Sequence, residues 1–290
     1  MFKRIVLPQV ICKMKHYSTN YASSLTDMKL DILNGANSGI FVLSFNRPSV
    51  KNAVNRNMIK EFSQALDHIS FDKAAKVLIV RSQTPGIFCA GADLKERTTL
   101  SPSETYQTVC KFRALTQQIE STPIPVIAAL DGSALGGGFE IALACDIRVA
   151  ANNAKFGLVE TKLAIIPGAG GTQRLPRIVG PSIAKELIFT GRVIDADTAK
   201  SYGVLNHVVE QDASNSAAFE KAIQISQEIL PNGPVGIRMA KAAINRGLQV
   251  DMNTGCAIEE SCYAQVIPTK DRLEGLAAFL SKRSPKYIGE

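Results

Sequence analysis

Two glutamates and two glycine-rich stretches carry most of the chemistry available to this sequence. Glu140 follows three glycines in "ALGGGFE" (134–140) and leads the apolar run "IALACDI". Glu160 sits in "FGLVETKLAIIPG", flanked by Leu158, Val159, Leu163 and Ile165. A carboxylate among apolar side chains is costly unless it is paired or put to use. The two acids are separated by one predicted strand, so they could face each other over a cleft. Burial raises a carboxyl pKa, and two carboxyls in unequal settings can divide the roles of acid and base. A plainer arrangement fits equally well. Glu140 could be a helix-start residue favoured by the helix dipole, and Glu160 a loop residue in a salt bridge with Lys162 or Arg174. Residue types alone leave both readings open.

The loops pose a similar choice. "GIFCAGAD" (86–93) and "ALGGGFE" each place small residues where backbone must come close to something. Glycine permits tight turns and leaves amide N–H groups uncovered. Two such loops, each after a buried strand, could aim two N–H groups at one point, which is the geometry of an oxyanion hole. Close strand–helix packing accounts for either loop singly just as well. Neither is a nucleotide fingerprint. "GSALGGG" lacks GxGxxG spacing, and Phe139 and Glu140 stand where a P-loop needs Lys and Ser/Thr. "PGAGGTQR" (167–174) fails both patterns and reads as a tight turn or a helix start with N–H groups facing an anion. Asp93 and Asp146 read as caps.

Strands and helices must position these groups. "GIFVLSFNRP" (39–48), "KVLIVRS" (76–82), "PVIAAL" (125–130) and "DIRVAA" (146–151) read as strands. "NRNMIKEFSQALDHI" has apolar residues at helical spacing. Residues 84–96 read as a glycine-rich loop. "SPSE" (101–104) offers a capping box for a helix to about Glu120. Strand–helix alternation over the first 180 residues predicts an α/β core. After Gly180 helices alone are predicted, with no clean internal repeat. The expected organisation is a leader over 1–26, an α/β core over 29–200 and a helical region over 201–290.

Composition narrows the class. An apolar content of 46% and a charged content of 20% are those of a globular protein. Asp131 and Asp146 interrupt the most apolar region, so no membrane span is expected. Lys3, Arg4, Lys13 and Lys15 precede the first acid, Asp27; without these four the net charge of +7 falls to +3. A basic, acid-free, hydroxyl-containing start has the composition of a mitochondrial transit peptide, although Pro8 interrupts the helix such peptides form. The six cysteines are scattered and read as reduced, mostly buried thiols. His68 and His207 lack metal-ligand spacing, so no metal is expected.

Together, "FCAGADLKE", "ALGGGFEIALACDIRVA", "FGLVETKLAIIPGAGGTQRL" and "AKELIFTGR" resemble the enoyl-CoA hydratase (crotonase) superfamily over roughly residues 29–290. "VETKLAIIPG" and "YAQVIPTKDRLEGLAAF" look most like its AU-binding, methylglutaconyl-CoA hydratase branch.

The resemblance implies an α/β fold, the ClpP-like crotonase spiral of ββα units, with a C-terminal helical trimerisation region. It implies a matrix enzyme acting on enoyl-CoA thioesters: 3-methylglutaconyl-CoA of leucine degradation, or short-chain enoyl-CoA of fatty acid metabolism. Ala92 and Gly137 match the amides that hold the thioester oxygen, and Glu140 and Glu160 match the catalytic pair. Ser49, Val50 and Lys51, with Ala90, Ala92, Asp93, Leu94 and Lys95, match the path of CoA, which enters as part of the substrate; no separate cofactor is implied. Phe279 and Lys282 match positions that reach a neighbouring subunit's CoA in homotrimers or homohexamers. Isomerisation or thioester hydrolysis on the same frame are the alternatives. RNA binding is a further one, but Arg56 to Lys76 holds four basic residues and three acids, a poor footprint for a polyanion, so weak and salt-sensitive binding is expected.

Overall fold

A computed structural model of the chain describes residues 25–290, so the predicted leader lies outside the described residues. β1 (Met28–Ile32) and β2 (Ile40–Phe45) pair antiparallel. α1 (Arg56–Phe71) follows, capped where the Asn55 side chain accepts from the Met58 N–H at 2.7 Å. Its predicted stripe of Met58, Ile59, Phe62, Ala65, Leu66 and Ile69 is buried, because helical spacing puts all six on one face.

From there the chain alternates between two sheets. β3 (Val77–Ser82) joins the first sheet and β4 (Gly86–Cys89) the second, before α2 (Leu94–Arg97) and α3 (Pro102–Ser121). β5 (Val126–Leu130) and β6 (Gly132–Leu135) repeat that division before α4 (Gly137–Ala144). β7 (Ile147–Ala151) and β8 (Lys155–Gly157) repeat it again, and a 3-10 turn at Glu160–Leu163 follows. Within each sheet the successive strands are parallel, which makes the spiral of ββα units that the family resemblance implies. The repeat is one of topology, and side-chain patterns do not reveal it.

The remaining elements are α5 (Gly171–Val179), α6 (Pro181–Thr190), β9 (Ile194–Asp195), α7 (Ala196–Ser201), β10 (His207–Val209), α8 (Ala217–Ile229), α9 (Pro234–Gly247), α10 (Met252–Val266) and α11 (Lys270–Leu280). Helices alone were expected after Gly180, and this is corrected by two strands. β9 closes the four-stranded sheet antiparallel to β8, and β10 closes the six-stranded sheet parallel to β7. Both are too short to show a period of two. β4 and β6 also stand in segments that read as loops, because each has four residues and opens on glycine.

The six-stranded sheet is covered on both faces, which is why its strands read as unbroken apolar runs. Ala218, Ala222 and Ile223 of α8 pack on Ile40, Val77, Ile127 and Val149. Phe41, Leu43, Leu78 and Val80 face the other way, into the larger core with α1, α3 and α4. The α/β core thus draws on chain beyond residue 200. By contrast, α9 has no buried residue, and α9–α11 expose Ile244, Leu248, Tyr263, Leu273, Leu276 and Phe279. Among the described residues no helix is long and apolar enough to cross a membrane. The five described cysteines are free thiols; Cys89, Cys145 and Cys262 are buried, Cys110 is half-buried and Cys256 exposed.

Candidate active site

Glu140 is delivered by a turn that needs glycine. β6 ends at Leu135, and Gly136 adopts φ 49° and ψ −125°, a conformation that residues with a Cβ rarely take. The Gly136 N–H donates to the Gly157 carbonyl at 2.8 Å, which fixes the turn against β8. Every residue of α4 is buried, and Glu140, in its first turn, is only 2% exposed. Its Oε1 accepts the Ala169 N–H at 2.8 Å and the Gly171 N–H at 2.7 Å. Burial raises the carboxyl pKa, while those amides and the charges of Arg174 and Arg113 oppose the rise.

The loop that supplies those amides is held from behind by α3 and α5. The Thr116 hydroxyl donates to the Ala169 carbonyl at 2.6 Å, and Arg113 Nε to the Gly168 carbonyl at 2.9 Å. Arg174 donates to the Ala169 carbonyl at 3.1 Å and bridges Glu120 at 2.7 Å. Replacing Arg174 by Met should therefore act through Glu140 rather than on substrate. Losing the cation raises the Glu140 pKa further. The acid limb of the pH–rate profile should move to higher pH, with kcat lowered roughly tenfold through misplaced amides. An unmoved acid limb would remove Arg174 from this role.

Glu160 opens the 3-10 turn after β8 and is half-buried. Its carboxyl lies against the turn that launches α4: a methyl placed on Gly136 would sit 3.2 Å from Glu160 Oε1. Glu160 Oε2 is buried and has no hydrogen-bond partner among the described residues. Burial, followed by the nearby Glu140 charge, pushes the Glu160 pKa up to about 7, and Arg97 opposes this. The salt-bridge alternative does not hold. Arg174 is engaged with Glu120, and neither Lys162 nor Arg174 bridges Glu160 among the described residues.

This shift has a consequence for stability. A carboxyl whose folded pKa is raised binds more protons folded than unfolded. Its penalty is absent below the unfolded value of 4.5 and grows as pH rises toward about 7. Glu160→Gln removes the penalty. The variant should gain melting temperature over the parent at pH 8, and the gain should shrink at pH 5; an equal gain at both would show that Glu160 titrates normally.

The two amides singled out in the sequence lie on adjoining loops. The Val54 N–H donates to the Gly91 carbonyl at 2.8 Å and the Asp93 N–H to the Val54 carbonyl at 2.9 Å. This bridge passes over the Ala92 N–H, which has no partner among the described residues. Gly137 is the first residue of α4, so its N–H has no acceptor within the helix. A methyl on Gly91 would lie 3.4 Å from Gly137 N, and one on Gly137 would lie 3.8 Å from Ala92 N. Two uncommitted donors thus border one small space.

Ser49, Val50 and Lys51 form the turn before Asn52, and the Ala90 N–H donates to the Lys51 carbonyl at 3.1 Å. The structure therefore brings Ser49–Lys51 alongside the loop of Ala90 to Lys95. Lys51, Leu94 and Lys95 are exposed there. Asp93 caps α2 through the Glu96 N–H at 3.2 Å and meets Arg47 at 3.1 Å. The predicted capping role of Asp146 is corrected: it accepts from the Val126 N–H at 2.7 Å and pairs with Lys241 at 2.7 Å, tying β5 to α9. Phe279 is 83% exposed on α11 and Lys282 lies just past that helix. Neither has a hydrogen bond or ion pair to the glutamate loops among the described residues.

Several positioning residues escaped the sequence reading. Fully buried Asn52 donates to Ser82 Oγ at 2.8 Å and to the Phe88 carbonyl at 3.0 Å, and accepts from the Arg47 N–H at 3.0 Å, stapling the turn to both sheets. Asn52, Thr116, Arg174 and the amides of Ala169 and Gly171 act mainly through contacts distant in sequence. "PGAGG" was the one local sign of them.

Comparison with known proteins gives the family. The model of the family Enoyl-CoA hydratase/isomerase matches residues 35–290. The chain is 58% identical over 264 residues to the mitochondrial methylglutaconyl-CoA hydratase of Homo sapiens, covering 91% of this chain and 78% of that protein. It is 49% identical over 264 residues to the mitochondrial enoyl-CoA hydratase domain-containing protein 2 of Mus musculus, covering 91% and 89%. The crystal structure of an enoyl-CoA hydratase from Bacillus anthracis superposes with a TM-score of 0.86 at 45% identity, covering 91% of this chain and all of that one. By the match of the family model and its likeness to these relatives, this chain belongs to the enoyl-CoA hydratase/isomerase family, the crotonase superfamily.

Proposed function

We propose that this chain adds water across the C2–C3 double bond of an enoyl-CoA thioester, with 3-methylglutaconyl-CoA as its preferred substrate. The carrying observation is the pair of Glu140 and Glu160, adjacent and unequally solvated, beside two uncommitted amides. The Ala92 and Gly137 N–H groups receive the thioester oxygen. Glu140, oriented by the Ala169 and Gly171 amides, takes a proton from water as its oxygen bonds to C3. Negative charge moves to the thioester oxygen, where the two amides stabilise it. Glu160, protonated up to about pH 7, gives its proton to C2. Dehydration reverses the two roles. An isomerase or a thioester hydrolase has less use for this pairing.

Ser49 to Lys51 and Ala90 to Lys95 line the path of CoA, which arrives as part of the substrate. The exposed apolar faces of α9–α11 support assembly into trimers, paired or not, with Phe279 and Lys282 meeting the CoA of a neighbour. The named relatives and the basic leader support a matrix location. Loss of the conjugated enoyl-thioester absorbance tests the reading. Leader-free protein should turn over 3-methylglutaconyl-CoA faster than crotonyl-CoA. A preference for crotonyl-CoA would make it a general short-chain hydratase, and turnover of neither would overturn the proposal.

A further inference from the structure

A cleft of about 1140 Å³ lies between α3, the loop at 166–170, α5 and α9. Its walls carry Arg113, Arg174, Arg177, Arg238, Lys241 and Arg246 against a single acid, Glu120. Two of the six cations are neutralised: Arg174 by Glu120 and Lys241 by Asp146, each at 2.7 Å. The other four have no carboxylate among the described residues. Arg113 donates to the Gly168 carbonyl, and Arg177 to Gln173. Arg238 and Arg246 have no hydrogen bond or ion pair from their side chains, and Arg238 Nε is buried without a partner. Elsewhere Arg47, Arg56, Arg192 and Arg283 each meet a carboxylate. Four guanidinium groups without a carboxylate partner are thus gathered around one cleft, while Arg81, Arg97, Arg148 and Arg272 stand singly elsewhere without an ion pair among the described residues.

Like charges around one cavity repel, and a buried N–H without an acceptor is costly. An anion removes both penalties. Guanidinium is planar and presents paired donors that match phosphate oxygens two at a time. The volume exceeds what one phosphate fills and suits a small organic ligand. We propose that this cleft is a second binding site, for a small ligand carrying two or more phosphate-type negative charges. It borders the loop that holds Glu140 and contains neither catalytic glutamate. The proposal therefore stands apart from the hydratase reading.

Isothermal titration of the full chain with pyrophosphate at low ionic strength tests it. The parent should bind, and the double variant Arg238→Gln, Arg246→Gln should lose affinity by roughly tenfold or more while keeping its melting profile. A saturating non-hydrolysable enoyl-CoA analogue should not displace the pyrophosphate. Equal affinity in the double variant, or displacement by the analogue, would overturn the proposal. So would absence of binding to the parent; a changed oligomeric state in the variant would then give the cleft to acidic side chains of a neighbouring subunit.

Discussion

Glu140→Gln and Glu160→Gln should each lower kcat for hydration by roughly 10²–10⁴, with KM changed little. Glutamine keeps the shape and most of the contacts. Its carbonyl at position 140 still accepts from Ala169 and Gly171 at the present 2.8 and 2.7 Å. It cannot take a proton from water, and at position 160 it cannot give one to C2. Because the carboxyls act in one concerted exchange, the double variant should be little worse than either single one. The parent carries its own internal check. Hydration needs Glu140 ionised and Glu160 protonated. The latter condition is met below about pH 7 and lost above it, so kcat/KM should fall on the alkaline side with a midpoint near there. Stopped assays across pH with both thioesters would measure this. A Glu160→Gln enzyme within tenfold of the parent would end the two-carboxyl mechanism.

The second large effect is expected at Gly137. An oxyanion-hole donor contributes about 10²–10³ in kcat. A backbone N–H is hard to delete, but Gly137 is the first helical residue, where proline is tolerated and its missing N–H breaks no helical bond. Gly137→Pro removes the donor. It also adds a Cβ that would meet Phe112 Cε1 at 2.6 Å, so part of any loss is steric. Gly137→Ala adds the same Cβ and keeps the N–H. The ratio of the two variants isolates the donor: proline should be slower than alanine by about 10²–10³ in kcat. Equal activity in folded proteins would move the oxyanion site elsewhere. Melting curves of both should show the shared cost of displacing Phe112.

Some of this protein was legible in its residues. Long apolar runs placed β2, β3, β5 and β7, three-four spacing placed α1, and the capping box at Ser101 placed the start of α3, because each of these signals is local in the chain. The three glycines before Glu140 signalled a turn that side chains would obstruct, and the Gly136 backbone bears that out. Motif order gave the family. Chain order could not decide what the carboxylates meet. Whether Glu160 pairs with a cation or stays protonated depends on Arg174 turning to Glu120, a contact 54 residues apart. The short strands β4, β6, β9 and β10 exist because neighbours offer them free edges; alone, two to four residues hold too few hydrogen bonds to persist. The clustered arginines likewise come from α3, α5 and α9, segments well separated in sequence, and only folding puts their charges around one cavity. Periodicity is local and survives in sequence, whereas desolvation and charge pairing are set by whatever the tertiary fold places alongside.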